Sequence, residues 1–259
     1  MSRRRIVCEP VRLSTECYAT LWQYDNLGPM HTALLAETTL RDDEEQRTDE
    51  ERAFGELREC GLLAGNSPHP DLRGSFELIR HAADEFYGYY LPGEQAEFTA
   101  LVARAGDTAL LAMLDAEGLS LRPVPPDSPA QVLGGLLPEC QPMRISDINV
   151  PLEDLAAGGN RNDGTFLDHS QPGVCDGVAQ LRGIFSSPQR AEAQFYVAAR
   201  LDNGTRVRCP GPFGVLDFPA GRIMMRRDGD NPRNPLVSVM PGGPQVFIRA
   251  IEQLRSHLP

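Results

Sequence analysis

The chain contains no lysine: all 25 of its basic residues are arginine, a pattern that fits a GC-rich coding genome and carries no chemistry by itself. Arginine does make the better bidentate and stacked contacts wherever it reaches an interface. Positive charge is scarce as well, 36 acidic residues leaving a net charge of −11. A nucleic-acid partner is therefore excluded, because duplex binding depends on cations that neutralise phosphates. Apolar runs stay at strand length, as in Ala109 to Leu114, far from the roughly 20 residues a membrane helix needs. Met1-Ser2-Arg3-Arg4-Arg5 is basic, but Ile6-Val7-Cys8 gives way at once to Glu9-Pro10, so a secretory apolar region is missing and a cytoplasmic chain is expected.

Catalytic signatures are missing too. The six cysteines, Cys8, Cys17, Cys60, Cys140, Cys175 and Cys209, form no Cys-x-x-Cys pair and have no histidine at ligand spacing, so free thiols in a reducing compartment are expected. His31, His69, His81, His169 and His257 show no His-x-x-x-His spacing, and no metal is expected. Asp168-His169-Ser170 has the residue types of a hydrolytic triad, but neighbours on one segment point apart and no Gly-x-Ser-x-Gly elbow presents a serine. Asp228-Gly229-Asp230-Asn231 resembles a calcium loop, yet Pro232 follows and no glutamate closes it, so it reads as a turn. Glycine-rich phosphate loops are absent; no cofactor is expected.

What is present is one β-rich module written twice. Glu85-Phe86-Tyr87 recurs as Gln194-Phe195-Tyr196, and each copy runs through strand-like segments to a Pro-x-x-Pro turn, Pro126 to Pro129 and Pro241 to Pro244. A helix opening with Gln131-Val132-Leu133 or Gln245-Val246-Phe247 ends each copy. The expectation is one domain over residues 1–259 made of two halves, 1–137 and 138–259, packed about a pseudo-twofold axis. Short turns at Pro92-Gly93, Ala105-Gly106-Asp107 and Glu117-Gly118 predict an antiparallel meander over Glu85–Leu91, Glu97–Arg104, Thr108–Asp115 and Leu119–Val124. The second half repeats it over Ala193–Leu201, Arg206–Phe218 with a break at Pro210-Gly211-Pro212, Arg222–Arg227 and Leu236–Met240.

Around the meanders, Ile6–Leu13 and Thr32–Leu35 read as strands, and Ser14 caps a helix through Leu21. Thr48-Asp49-Glu50-Glu51 reads as a capping box that starts a helix ending near Cys60-Gly61. Further helices are predicted over Leu72–Ala82, Pro129–Leu137, Val174–Phe185 and Pro244–Leu258, the last with Phe247, Ile251, Leu254 and Leu258 on one face. The stretch Gly158 to Gly164 reads as a surface loop.

The residues Gly214-Val215-Leu216-Asp217, Ala220-Gly221-Arg222-Ile223 and Val237-Ser238-Val239-Met240-Pro241 resemble the C-terminal block of the EspG family, cytosolic specificity chaperones of type VII (ESX) secretion in actinobacteria. The likeness continues through Phe185-Ser186-Ser187-Pro188 and Gln194 to Arg200, and in the first half through Gly61-Leu62-Leu63, Arg80 to Tyr90 and Val102 to Asp107. It implies an α+β fold, with a central antiparallel β-sheet flanked by helices, and a non-enzymatic role. In that role the chain binds the helical tip of a PPE protein within a PE-PPE pair, or of another helical ESX substrate, and covers its apolar surface. By analogy with the family's use of its sheet and C-terminal helical bundle, the partner-binding candidates are Phe213, Val215, Phe218, Ile223, Met225, Arg226, Arg227, Val237, Val239, Phe247 and Ile251.

Two other readings are carried forward. A small-molecule-binding protein or enzyme requires a closed pocket that brings His169, Asp168 or Glu85 together. A structural subunit would form a weak homodimer through an exposed sheet edge.

Overall fold

The structure, a computed structural model, describes residues 5–36, 42–156, 172–228 and 235–259, with the side chains of all of these except Asp43, Ala156, residues 172–175 and Asp228. The first half contains β1 (Val11–Leu13), α1 (Thr15–Tyr24), a 3-10 turn over Thr32–Leu34, α2 (Asp43–Glu59), a small hairpin of β2 (Leu63–Ala64) and β3 (Ser67–Pro68), and α3 (Pro70–Arg80). Its meander follows as β4 (Asp84–Leu91), β5 (Phe98–Ala105), β6 (Thr108–Asp115) and β7 (Gly118–Val124), closed by α4 (Pro129–Gly134). The second half runs β8 (Ile148–Pro151), α5 (Leu152–Ala156), α6 (Pro172–Phe185), β9 (Ala191–Arg200), β10 (Arg206–Arg208), β11 (Phe213–Phe218), β12 (Gly221–Asp228), β13 (Leu236–Pro241) and α7 (Pro244–Ser256).

All the strands except the small hairpin join one antiparallel sheet in the order β1-β7-β6-β5-β4-β9-β11-β12-β13-β8, and β10 extends the β11 side of β9. The order has the same sense read from either end: an edge strand, then a meander from its fourth strand to its first, then the mirror sequence. The register at the centre locates the axis. Tyr87 lies opposite Tyr196, its own repeat equivalent, while Phe86 opposes Val197 and Gly88 opposes Phe195. The Phe86–Val197 and Gly88–Phe195 pairings are therefore twofold images of each other. The Tyr87 and Tyr196 rings stack at 5.4 Å and 17° on the axis itself.

Both faces of the sheet are covered, which is why Ala100 to Ala103 and Ala109 to Ala112 are buried without a break rather than alternately. On one face, here the front, Tyr87, Leu101, Ala103, Leu110 and Ala112 pack with Trp22, Leu57 and Phe76 of the first-half helices. Farther along the same face Leu216, Ile223, Val237 and Val239 pack with Val178 and Leu181 of α6. On the back, α4 and α7 meet across the axis over Phe86, Val102, Phe195, Phe213 and Val215. Each large side chain so buried stabilises the fold by about 1.5–3 kcal/mol. The last helix is tied to the other half by a charge: Arg255 on α7 and Arg104 on β5 both donate to the Asp84 carboxylate.

Local chemistry moves several predicted boundaries. The Thr32–Leu35 strand is a 3-10 turn, since the His31 ring accepts the Ala33 N–H and caps it. Helix α2 begins ahead of the Thr48 box, because Asp42 accepts from the Glu44 and Glu45 N–H groups and Glu45 accepts from the Asp42 N–H. Thr48 is thus helical, its hydroxyl donating to the Glu44 carbonyl. The first strand is only Val11–Leu13, as the Val7 N–H turns away to Ser75 on α3. Strand β8 is an addition, four residues that complete the second edge.

Gly88 leaves the room that Phe195 occupies: a Cβ there would stand 2.8 Å from the Phe195 ring and 3.0 Å from that of Tyr90. Gly88→Ala should lower stability by about 1–3 kcal/mol through overpacking, read by chemical denaturation. A variant as stable as the parent would show that the axis is not tightly packed.

Candidate functional site

The front face is not evenly covered. Helices α1 and α3 pack over β5–β7, and α6 packs over β8 and the Leu216 and Ile223 ends of β11 and β12, so the middle of β4, β9, β11 and β12 keeps a strip without close helix packing among the described residues. The alternation that buries Phe195 and Val215 on the back turns Tyr89, Gln194, Tyr196, Gly214 and Met225 to the front, all half-buried. At the end of the strip beside Tyr89 lies a hollow of about 340 Å³, lined by Leu35, Leu91, Phe98 and Leu114 among others. Leu35 is 63% and Leu91 40% exposed there. Isolated exposed apolar residues are ordinary, but an apolar hollow continuous with an aromatic strip marks an interaction surface.

Beside Tyr87 the strip meets a buried charge. Glu85 accepts from Arg206 Nε at 2.6 Å and from Arg200 Nη2 at 3.5 Å, with its side chain only 3% exposed. His31 supplies a third donor, at 3.2 Å. Because His31 Nδ1 accepts the Ala33 N–H, the ring proton sits on Nε2 and points at Glu85. Burial pushes the Glu85 carboxyl up, but the hydrogen bonds and charges of His31 and Arg206 outweigh it and hold it below the usual range.

Strand β10 reads Arg206-Val207-Arg208, and period-two alternation sends both arginines to the front. The Arg206 guanidinium lies 5.7 Å from the Tyr87 ring centre, and that of Arg208 5.0 Å from the Tyr196 ring centre. The break after β10 is made by Cys209, whose thiol donates to the Gly211 carbonyl while accepting the Val197 N–H in place of a ladder carbonyl.

The eleven partner-binding candidates divide three ways. Phe213, Val215, Phe247 and Ile251 are buried in the back core under α4 and α7. Phe218, Ile223, Val237 and Val239 are buried in the front core against α6 and β8. Met225 is half-buried in the strip, and Arg227, two positions on, is exposed on the same face. Arg226 points to the back, donating to Gln253 Oε1 at 2.8 Å. Sequence reasoning did not single out Tyr89, Tyr196, Arg206 and Arg208 as candidates, though the paired tyrosines of the repeat and the Arg-Val-Arg alternation were legible signals.

Among the described residues no three of His, Cys, Asp and Glu are grouped to hold a metal ion, and no helix is long and apolar enough to cross a membrane. Glu85 is occupied by three donors; Asp168, His169, Ser170, the Gly158–Gly164 stretch and the Gly229–Asn231 turn lie outside the described residues. The five cysteines whose side chains are described are free thiols, and Cys175 is not among them.

A family model described as the EspG family matches residues 14–253. No curated protein matches the sequence. Among solved structures, the Mycobacterium tuberculosis type VII secretion system chaperone EspG5, solved in complex with a PE25-PPE41 dimer, aligns with a TM-score of 0.72 at 14% identity. The alignment covers 96% of this chain and 97% of that one. At that identity the likeness establishes the fold: a large antiparallel sheet flanked by helices.

The Glu85 cluster makes a pH prediction. A carboxyl whose folded value lies below its unfolded one stabilises the protein above the unfolded value, about 4.5, and that stability is lost as pH falls through the folded value. Glu85→Gln should cost about 3 kcal/mol at neutral pH, since it leaves buried donors facing an amide. The gap between parent and variant should then narrow below about pH 4.5. Denaturation curves from pH 7 to pH 3 test this; a gap that stays constant would show that folding does not shift the Glu85 titration.

Proposed function

The chain belongs to the EspG family, and on that footing we propose that it is a cytosolic specificity chaperone of type VII secretion. Its client is a PPE protein of a PE-PPE pair, held by its helical tip, kept soluble and delivered to the secretion machinery. The two halves, 1–137 and 138–259, work as one domain, with the client lying across the middle of the sheet. Supporting the client class is the complex of EspG5, a protein of the same fold, with a PE25-PPE41 dimer. The observation that carries the location is the front strip of Tyr89, Tyr196 and Met225, without close helix packing, running into the hollow beside Leu35 and Leu91.

The physical logic is that of a reversible cover. A helical hairpin tip exposes apolar side chains that would otherwise associate with one another, and a strip of half-buried aromatic residues buries them at little cost in ordering. The strip is already packed from behind by α4 and α7, so docking requires no opening of the core. Chemistry on a bound substrate has no support among the described residues, which favours a binding role over an enzymatic one.

Co-expression with PE-PPE pairs from the same genome, followed by affinity capture and size-exclusion chromatography with light scattering, tests the reading. One pair is expected to form a stable complex with the parent. Arg227→Glu, an exposed position on the strip, should weaken it at least about tenfold while the melting temperature holds. Val239→Glu should instead lose the complex by unfolding, because it buries an unpaired charge. A folded parent that takes up no pair overturns the client assignment.

A further inference from the structure

One polar group on the front face has no partner. The Tyr87 hydroxyl is buried and finds no hydrogen-bond partner among the described residues, although the residue is only 1% exposed. An unmade hydrogen bond of this kind costs about 1–3 kcal/mol, so its persistence on the symmetry axis calls for a reason.

Its surroundings supply one. The hydroxyl lies near enough to the guanidinium groups of both Arg206 and Arg208 to interact with each, but is aligned for a hydrogen bond with neither. The two cations differ in what holds them. Arg206 is fixed by its 2.6 Å bond to Glu85. Arg208 is exposed, lies on the face of Tyr196, and has no carboxylate partner among the described residues. Arg208 is therefore the less constrained of the two cations beside the hydroxyl.

We propose that Tyr87, Arg206 and Arg208 form a notch that accepts one carboxylate side chain, an aspartate or glutamate at the helical tip of the docked client. This deepens the client reading above and rests on it for the source of the carboxylate. The Tyr87 hydroxyl donates to one carboxylate oxygen and Arg208 closes over the other, with Arg206 adding charge from below. A carboxylate fits the donor set, since charge-assisted bonds from guanidinium and hydroxyl groups are the strong ones. It also fits the electrostatics of the whole chain. At a net charge of −11 the protein repels free anions at long range, whereas a carboxylate carried on a docked partner is delivered inside the roughly 8 Å screening length. The notch thus selects among helical tips that are equally apolar, which the aromatic strip alone cannot do.

Tyr87→Phe separates this role from a structural one. Because the hydroxyl has no partner in the free protein, removing it should leave the melting temperature unchanged or raise it, while weakening the client complex at least about tenfold. Arg208→Gln should weaken the complex by a similar factor. Replacing the acidic residues of the client tip one at a time by their amides should then identify a single position whose loss matters for the parent and not for Arg208→Gln. A second arm needs no client: acetate titrated into the isotopically labelled protein, against chloride at equal ionic strength, should shift the Arg206 and Arg208 Nε–H resonances saturably in the parent and not in Tyr87→Phe. Saturation by inorganic phosphate but not by acetate would overturn the carboxylate assignment. A client complex indifferent to Tyr87→Phe and Arg208→Gln, with no acetate response, overturns the notch and leaves the client reading standing. Saturable acetate binding with no complex for any pair does the reverse.

Discussion

The structure depends on one strand pairing, that of β4 with β9. Every other ladder in the sheet lies within one half or at an edge; this one joins the halves, and its register sets the rest. Shifting it by one residue would set Tyr87 opposite Phe195 or Val197 in place of Tyr196, joining the front of one half to the back of the other and breaking both the strip and the core. The Gly88 gap that receives Phe195 and the Tyr87–Tyr196 stack both enforce the observed register. Helices α4 and α7 then meet where the axis brings them, and the Asp84 carboxylate fastens the end of the chain to the first half.

The same pairing explains why the site is where it is. In a duplicated sheet each half supplies helices to its own outer strands, so the seam between halves receives cover from neither set on the front. On the back, α4 and α7 lie at the seam and close it. One face of the central strands is thereby core and the other is available, and the aromatic character of the repeated motif is what makes the available face adhesive.

Much of this was legible in the sequence because it was local. Turn residues and alternation placed the eight meander strands, including the break at Pro210-Gly211-Pro212, and the repeat implied the axis. What was not legible depends on distant parts of the chain. Asp42 and Thr48 both offer capping patterns in one acidic run, and the earlier one prevails because it adds a turn of helical hydrogen bonds. Ile148 to Pro151 is too short and too weakly flanked to announce a strand, and it pairs only because β13 has a vacant edge. For the site, alternation separates Val215 from Gly214 and Leu216 but says nothing of which face a helix will cover. Large apolar residues were therefore natural candidates, and most of them are core: Val239 and Phe213 are as buried as any described residue.

The second half departs from the first at β10, a three-residue strand carrying two arginines that the first meander does not repeat. A perfectly duplicated seat would accept a helical tip in either of two directions half a turn apart, with equal energy. Strand β10 puts cationic charge on one side of the axis only, while the apolar hollow by Leu35 and Leu91 lies at one end. The proposed seat therefore has a polarity that its scaffold lacks: of the two approaches permitted by symmetry, one brings charge to charge and the other does not, so a client bound as proposed would stand in a single orientation.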